Sequence, residues 1–201
     1  MQNHAASSKR LAGVQVVFQT PFTEGGSLDV DTLESEIDWL VSEGANGIVF
    51  AMVSEILRLS SEERDQVAVI ASRLSVGRGD CIISVGAESV TTAVRHAHLA
   101  EDAGANGLIA APPSLFRVDN DALMKYFVAL ADAVEIPLVV QDASGYVGAP
   151  LSIDRQARLY RELGNASTSN RRLRQSARAL RSCASRRMTR LVFSRALVAF
   201  T

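Results

Sequence analysis

The 201 residues are 47% hydrophobic and 21% charged, enough to bury a sizeable core, which excludes a chain disordered throughout. No run of about 18 apolar residues occurs and Met1 to Arg10 is polar, so neither a membrane span nor a signal peptide is expected, and the location is read as cytoplasmic. The formal net charge of −1 hides a division: residues 1–164 hold all 22 acidic residues against 12 basic ones, whereas residues 165–201 hold nine arginines and no acid.

In chain order, residues 1–10 read as a disordered leader and residues 11–164 as one folded unit. Short β-branched runs are expected as strands at Val14 to Gln19, Gly47 to Val53, Cys81 to Val85, Gly107 to Ala111 and Pro137 to Gln141. Amphipathic stretches between and after them are expected as helices at Asp31 to Glu43, Ser61 to Leu74, Ser89 to Ala103, Asp121 to Val134 and Ile153 to Leu163. Strands alternating with helices predict a parallel sheet covered by helices, in five βα units.

Two helix-to-strand joints use the same words, Gly44-Ala45-Asn46-Gly47-Ile48 and Gly104-Ala105-Asn106-Gly107-Leu108. The first glycine of each is suited to the left-handed turn that ends a helix, and the second opens a buried strand. Ser60-Ser61-Glu62-Glu63 reads as a capping box, and Ser89 as a helix cap. An open doubly wound sheet is the rival architecture, but no G-x-G-x-x-G or Walker motif follows the first strand.

Metal and thiol chemistry find little support. Cys81 and Cys183 have no CxxC spacing and read as reduced thiols. His4 lies in the leader, and His96 and His98 point to different faces of one helix, so surface or packing roles are expected and no metal or other cofactor is implied.

Several segments together resemble one family. Thr20-Pro21-Phe22-Thr23 followed by Gly25-Gly26-Ser27-Leu28-Asp29 resembles the first-strand opening of the dihydrodipicolinate synthase and N-acetylneuraminate lyase family. Asp38-Trp39-Leu40-Val41 through Gly44-Ala45-Asn46-Gly47 is similar to its first helix and turn, and Leu59-Ser60-Ser61-Glu62-Glu63-Arg64 to the start of its second helix. The resemblance implies an α/β fold, here a partial TIM (β/α)8 barrel of about five βα units. It also implies a lyase or aldolase reaction on pyruvate or another 2-keto acid through a Schiff-base lysine, and a homo-oligomeric assembly whose survival in this chain is doubtful. Such a site gathers at the C-terminal ends of the strands.

At those ends the chain departs from the family. Where the family writes G-T-T-G-E, this sequence has Ala51-Met52-Val53-Ser54-Glu55. Both threonine hydroxyls are lost, and Ser54 is the one nearby hydroxyl. Pro113 is followed by Ser114 and Leu115 in place of tyrosines. Gln141 stands where the family carries a proton-handling tyrosine, and Tyr146 where it carries an arginine. A glutamine donates and accepts hydrogen bonds but does not act as an acid or base near neutral pH. The substrate pocket implied by the resemblance therefore comprises Met52, Val53, Ser54 and Gln141, with no catalytic residue identified. The Schiff-base lysine is due in the sixth strand, yet no lysine follows Lys125, which lies on a helix beside Tyr126, and Lys9 precedes the first strand.

Residues 165–201 form an Arg-rich tail without glycine or proline. One account is a basic amphipathic helix with Leu173, Ala177, Leu180, Ala184, Met188 and Leu191 at helical spacing, making the chain a non-catalytic half-barrel that binds nucleic acid or anionic membrane. The other is a reading frame shifted near Gly164. The second fits better a change that begins where the next family strand is due, so no membrane or nucleic-acid partner is expected and a small 2-keto acid is.

Overall fold

The computed structural model describes residues 11, 13–115, 118–141, 154, 157–159 and 161. The leader, the tail, Cys183 and the stretch containing Tyr146 lie outside these residues. Nine regular elements alternate: β1 (Gln15–Val17), α1 (Val30–Ser42), β2 (Gly47–Phe50), α2 (Ser61–Leu74), β3 (Asp80–Ser84), α3 (Val90–Asp102), β4 (Gly107–Ala110), α4 (Asn120–Ala133) and β5 (Leu138–Val140). Of the expected helix Ile153 to Leu163, residues 154, 157–159 and 161 are helical and the others lie outside the described set.

Each helix begins where a short polar side chain satisfies an orphan backbone N–H. Asp29 accepts from the Thr32 N–H at 3.0 Å, Ser89 from Thr92 at 3.1 Å and Asp119 from Ala122 at 2.8 Å. Ser60 and Glu63 exchange both bonds of the expected capping box, at 3.1 and 2.8 Å. At the other ends, Gly44 and Gly104 adopt φ of 92° and 93°, the left-handed turn expected of them.

The sheet runs in the order β1-β2-β3-β4-β5, parallel throughout. A doubly wound sheet reverses its strand order at a switch point. No reversal occurs here, and the two faces of the sheet are both apolar but differently covered. Ile48, Phe50, Cys81, Ile83, Val85 and Leu108 face the helices and join Phe18, Ile37, Phe127 and Leu130 in the main core. The alternate residues Val49, Ala51, Ile82 and Ile109 form a second cluster with Val17, Val139 and Leu11, to which no helix contributes. Helices on one side and a separate layer of strand side chains on the other are the cross-section of a (β/α)8 barrel wall, so the fold is a partial barrel.

One element differs from expectation. The second strand, expected to run through Val53, ends at Phe50, and Met52–Ser54 make a single 3₁₀ turn. The turn closes because the Ser54 hydroxyl is a better partner for the Ala51 N–H, at 3.3 Å, than a strand neighbour could be, and Glu55 then leaves at φ 63°.

The barrel floor explains the strand-opening glycines. The Gln15 amide crosses over Gly47 to reach Asp80 Oδ2 at 3.4 Å. A Cβ on Gly47 would stand 2.1 Å from Gln15 Oε1 and 2.4 Å from the Asp80 carbonyl oxygen. Similarly, the Leu11 side chain occupies the place of a Gly107 Cβ, 2.9 Å away. Because the Asp80 obstacle is backbone, Gly47→Ala is expected to cost about 2–3 kcal/mol, read as a lowered urea midpoint with an unchanged slope.

Candidate ligand-binding site at the strand ends

The strand ends converge on a rim built by the β2 turn, the loops after β3 and β4, and the residue following β5. Five side chains fix this rim. The Ser54 hydroxyl is fully buried and donates to the Phe18 carbonyl oxygen at 2.5 Å, while the Thr20 hydroxyl donates to the Ser54 carbonyl oxygen at 2.7 Å. These two bonds tie the β2 turn to the end of β1. Next, Arg64, early in α2, donates from one guanidinium nitrogen to the carbonyls of Ser84 and Gly86 at 3.0 and 2.8 Å. Tyr126 of α4 accepts from the Ala87 N–H at 3.0 Å, fixing the following peptide. Finally, Glu88 accepts from the Ser114 N–H and hydroxyl and from the Leu115 N–H, at 2.8, 3.1 and 3.1 Å, which carries the order from the β3 loop to the β4 loop.

Burial lowers the Arg64 guanidinium to about 10, opposed by Tyr126 and Asp65, so it remains charged at neutral pH. Behind it, Asp65 accepts from Arg95 at 2.5 Å and bonds the His96 ring at 2.8 Å, joining α2 to α3. Burial, together with the positive charges of Arg64 and Arg95, holds the His96 imidazole at about 4 against the pull of Asp65. His96 is therefore a neutral packing residue, a role the sequence allowed for it. Among the described residues no group of three metal-ligating side chains gathers. No described helix is long and apolar enough to cross a membrane.

The four pocket residues named from sequence fall at two places on the rim. Met52 packs partly buried against the helix-side core, Val53 is half-buried beside it, and Ser54 spends its hydroxyl on backbone. Gln141 follows β5, three strands away, and is buried with Oε1 unbonded. Leu115 is 73% exposed and takes no part in barrel packing. Lys125 is exposed on α4, beside a cavity of about 560 Å³ lined also by Asp119, Asp121, Ala122 and Arg158, outside the barrel mouth.

Residues 10–168 match the sequence model of the Dihydrodipicolinate synthetase family. The chain belongs to that family. A 4-hydroxy-tetrahydrodipicolinate synthase from Azoarcus sp. (strain BH72) is 35% identical over 150 residues, covering 74% of this chain and 51% of that protein. The corresponding enzyme from Acidiphilium cryptum (strain JF-5) is 32% identical over 148 residues, 73% of this chain and 51% of that one. Among solved structures, the chloride-inhibited dihydrodipicolinate synthase from Acinetobacter baumannii, complexed with pyruvate, superposes with a TM-score of 0.71 at 31% identity, over 75% of this chain and 52% of that one. A prophage protein of the dihydrodipicolinic acid synthase family from E. coli K12, also in complex with pyruvate, gives a TM-score of 0.72 at 26% identity, over 75% and 51%. The chain thus spans about half the length of these relatives.

Within this dihydrodipicolinate synthetase family barrel, the segments that carry the resemblance hold the rim in place. Thr20 of the first-strand motif bonds the β2 turn, and Arg64 of the second-helix motif clamps the β3 loop. The sequence offered no role for Arg64 beyond motif membership, although an arginine in the first helical turn, where acids are favoured, was a signal.

Two outcomes are expected. Arg64→Ala should cost about 3 kcal/mol in urea unfolding, because it strips two carbonyls of a charged donor. His96 binds a proton near 6.5 when unfolded but only near 4 when folded, so stability falls as pH drops from about 6.5 to about 4 and levels off below. His96→Gln should flatten that slope, measured as the change of unfolding free energy with pH.

Proposed function

We propose that this chain derives from a class I, Schiff-base lyase or aldolase acting on pyruvate or another 2-keto acid, and that as written it binds such an acid without forming the covalent intermediate. The observation that supports the binding half is the turn after β2. Its opening residues, Met52 and Val53, have backbone N–H groups that bond no described partner, as expected at the start of a helical turn. They stand where the family receives the keto-acid carboxylate, and the Ser54 bonds to Phe18 and Ala51 keep the turn rigid. Preorganised amides of this kind bind an anion without a charged side chain.

The inactivity half rests on chemistry. Imine formation needs a neutral amine to attack the keto carbon with loss of water. The sequence holds two lysines, Lys9 before β1 and Lys125 on α4. Lys125 is exposed outside the barrel, and Met52 and Val53 supply no hydroxyl for a proton relay. Residues 11–164 are proposed as the folded unit, with a cytoplasmic location and a homo-oligomeric parent.

Borohydride treatment in the presence of pyruvate, followed by mass measurement, is expected to leave the chain unmodified. A stable keto-acid adduct on Lys125 would overturn the reading.

A further inference from the structure

The inner wall of the barrel carries two polar groups, Gln141, which the motif comparison put in the pocket, and Ser84, to which it gave no role. Side chains alternate along each strand. Ile82 lies in the inner cluster and Ile83 and Val85 in the outer core, so Ser84 points inward at the end of β3. Val139 is inner and Val140 outer, so Gln141 likewise points inward after β5, and its N–H bond to the Ala110 carbonyl at 2.8 Å keeps the strand register.

Both side chains are about 95% buried, Ser84 with 6% and Gln141 with 5% of its surface exposed. Gln141 Oε1 has no hydrogen-bond partner. Ser84 pairs in register with Ile109, and Ile109 with Val139. Two strand spacings separate Ser84 from Val139, roughly 10 Å, and Gln141 lies two residues, roughly 7 Å, further along. The inward neighbours next in line are the small residues Ala51 and Ala111. A recess results, floored by Ile82, Ile109 and Val139, with a neutral polar group at each side.

We propose that Ser84 and Gln141 form a specificity wall that recognises a hydroxyl group on the ligand, so that this chain prefers a hydroxylated 2-keto acid to an unsubstituted one. A buried carboxamide oxygen lacking a partner asks for a donor, and leaving it unmet costs the desolvation of that oxygen. Carboxylates and ketones have no donor to give. A hydroxyl has one, and its own oxygen can accept from Ser84. Neither wall residue ionises near neutral pH, so neither offers a charge to a second carboxylate. Arg64 supports the wall from behind, since one of its two bonds is to the Ser84 carbonyl.

The inference rests on the keto-acid reading above, and calorimetric titration of the full chain separates the two. Pyruvate and 3-hydroxypyruvate share the carboxylate and the keto group and differ by one hydroxyl. The hydroxylated acid is expected to bind about tenfold more tightly, the order that neutral hydrogen bonds to buried partners supply. Ser84→Ala should remove most of that preference while leaving the pyruvate affinity unchanged, and Gln141→Leu should remove it as well, read as the ratio of the two affinities, with a retained cooperative melt as the check on folding. Equal affinities in the unaltered chain, or a preference that survives Ser84→Ala, would overturn the wall and leave keto-acid binding standing. Binding of neither acid would overturn both.

Discussion

Everything at the strand ends depends on the register of the parallel sheet, and that register is set at the opposite end by two asparagines. Asn46 precedes β2; its backbone N–H donates to the Val14 carbonyl and its Oδ1 accepts from the Val14 N–H, at 2.8 and 2.7 Å. Asn106 precedes β4 and makes the same pair of bonds to Cys81, both at 2.8 Å. An asparagine can do this because its side-chain oxygen mimics a further strand residue. Slippage by one residue would break both bonds and turn every inner side chain outward. Gly13, at φ 81°, sits against Asn46 so closely that a Cβ would meet its Oδ1 at 1.9 Å. The repeated words Gly-Ala-Asn-Gly are therefore one device used twice, a helix stop, a register clamp and a strand start in four residues.

The rim obeys a different logic, because loops have no ladder to hold them. Charged side chains replace it. Arg64 reaches two carbonyls from a single nitrogen, and Glu88 gathers three donors from the neighbouring loop. Arg64 is the costlier device, since its guanidinium is largely desolvated and its Nε finds no partner, so the two carbonyl bonds must offset the burial. Its use here is consistent with the demand that a binding site be held by partners locked in their own packing. Asp65, Arg95 and His96 supply that packing between α2 and α3.

Much of this was legible in the sequence, for identifiable reasons. β-branched runs and amphipathic periodicity placed all nine described elements within a few residues, and α2 at its observed bounds, because a capping box fixes a start by local chemistry alone. The end of β2 was misplaced, since Ala51-Met52-Val53 reads as strand by propensity and only the tertiary bond from Ser54 to Phe18 reveals the turn. Ser54 looked like an available hydroxyl for the same reason. Motif matching directed attention to Met52, Val53 and Gln141, and passed over Ser84 because it belongs to no motif. Strict alternation along the run Cys81 to Val85 was the signal that marked Ser84 as inward.

The losses at the rim and the gains inside it form one pattern. By the family resemblance, threonine hydroxyls at the β2 turn would serve a reaction in which protons move, and Met52 and Val53, both half-buried, offer no hydroxyl in their place. A proton-handling tyrosine after β5 is replaced by Gln141, which keeps hydrogen bonding and discards acidity. Were the chain merely drifting without a ligand, the inner wall would be expected to close with apolar packing, as Val49, Ile82 and Ile109 do one layer below. Instead it holds Ser84 and a glutamine with an unmet acceptor, an arrangement that is destabilising in the empty protein. An unmet acceptor beside small alanines, behind loops clamped by Arg64 and Glu88, fits the proposed recognition of a hydroxylated 2-keto acid.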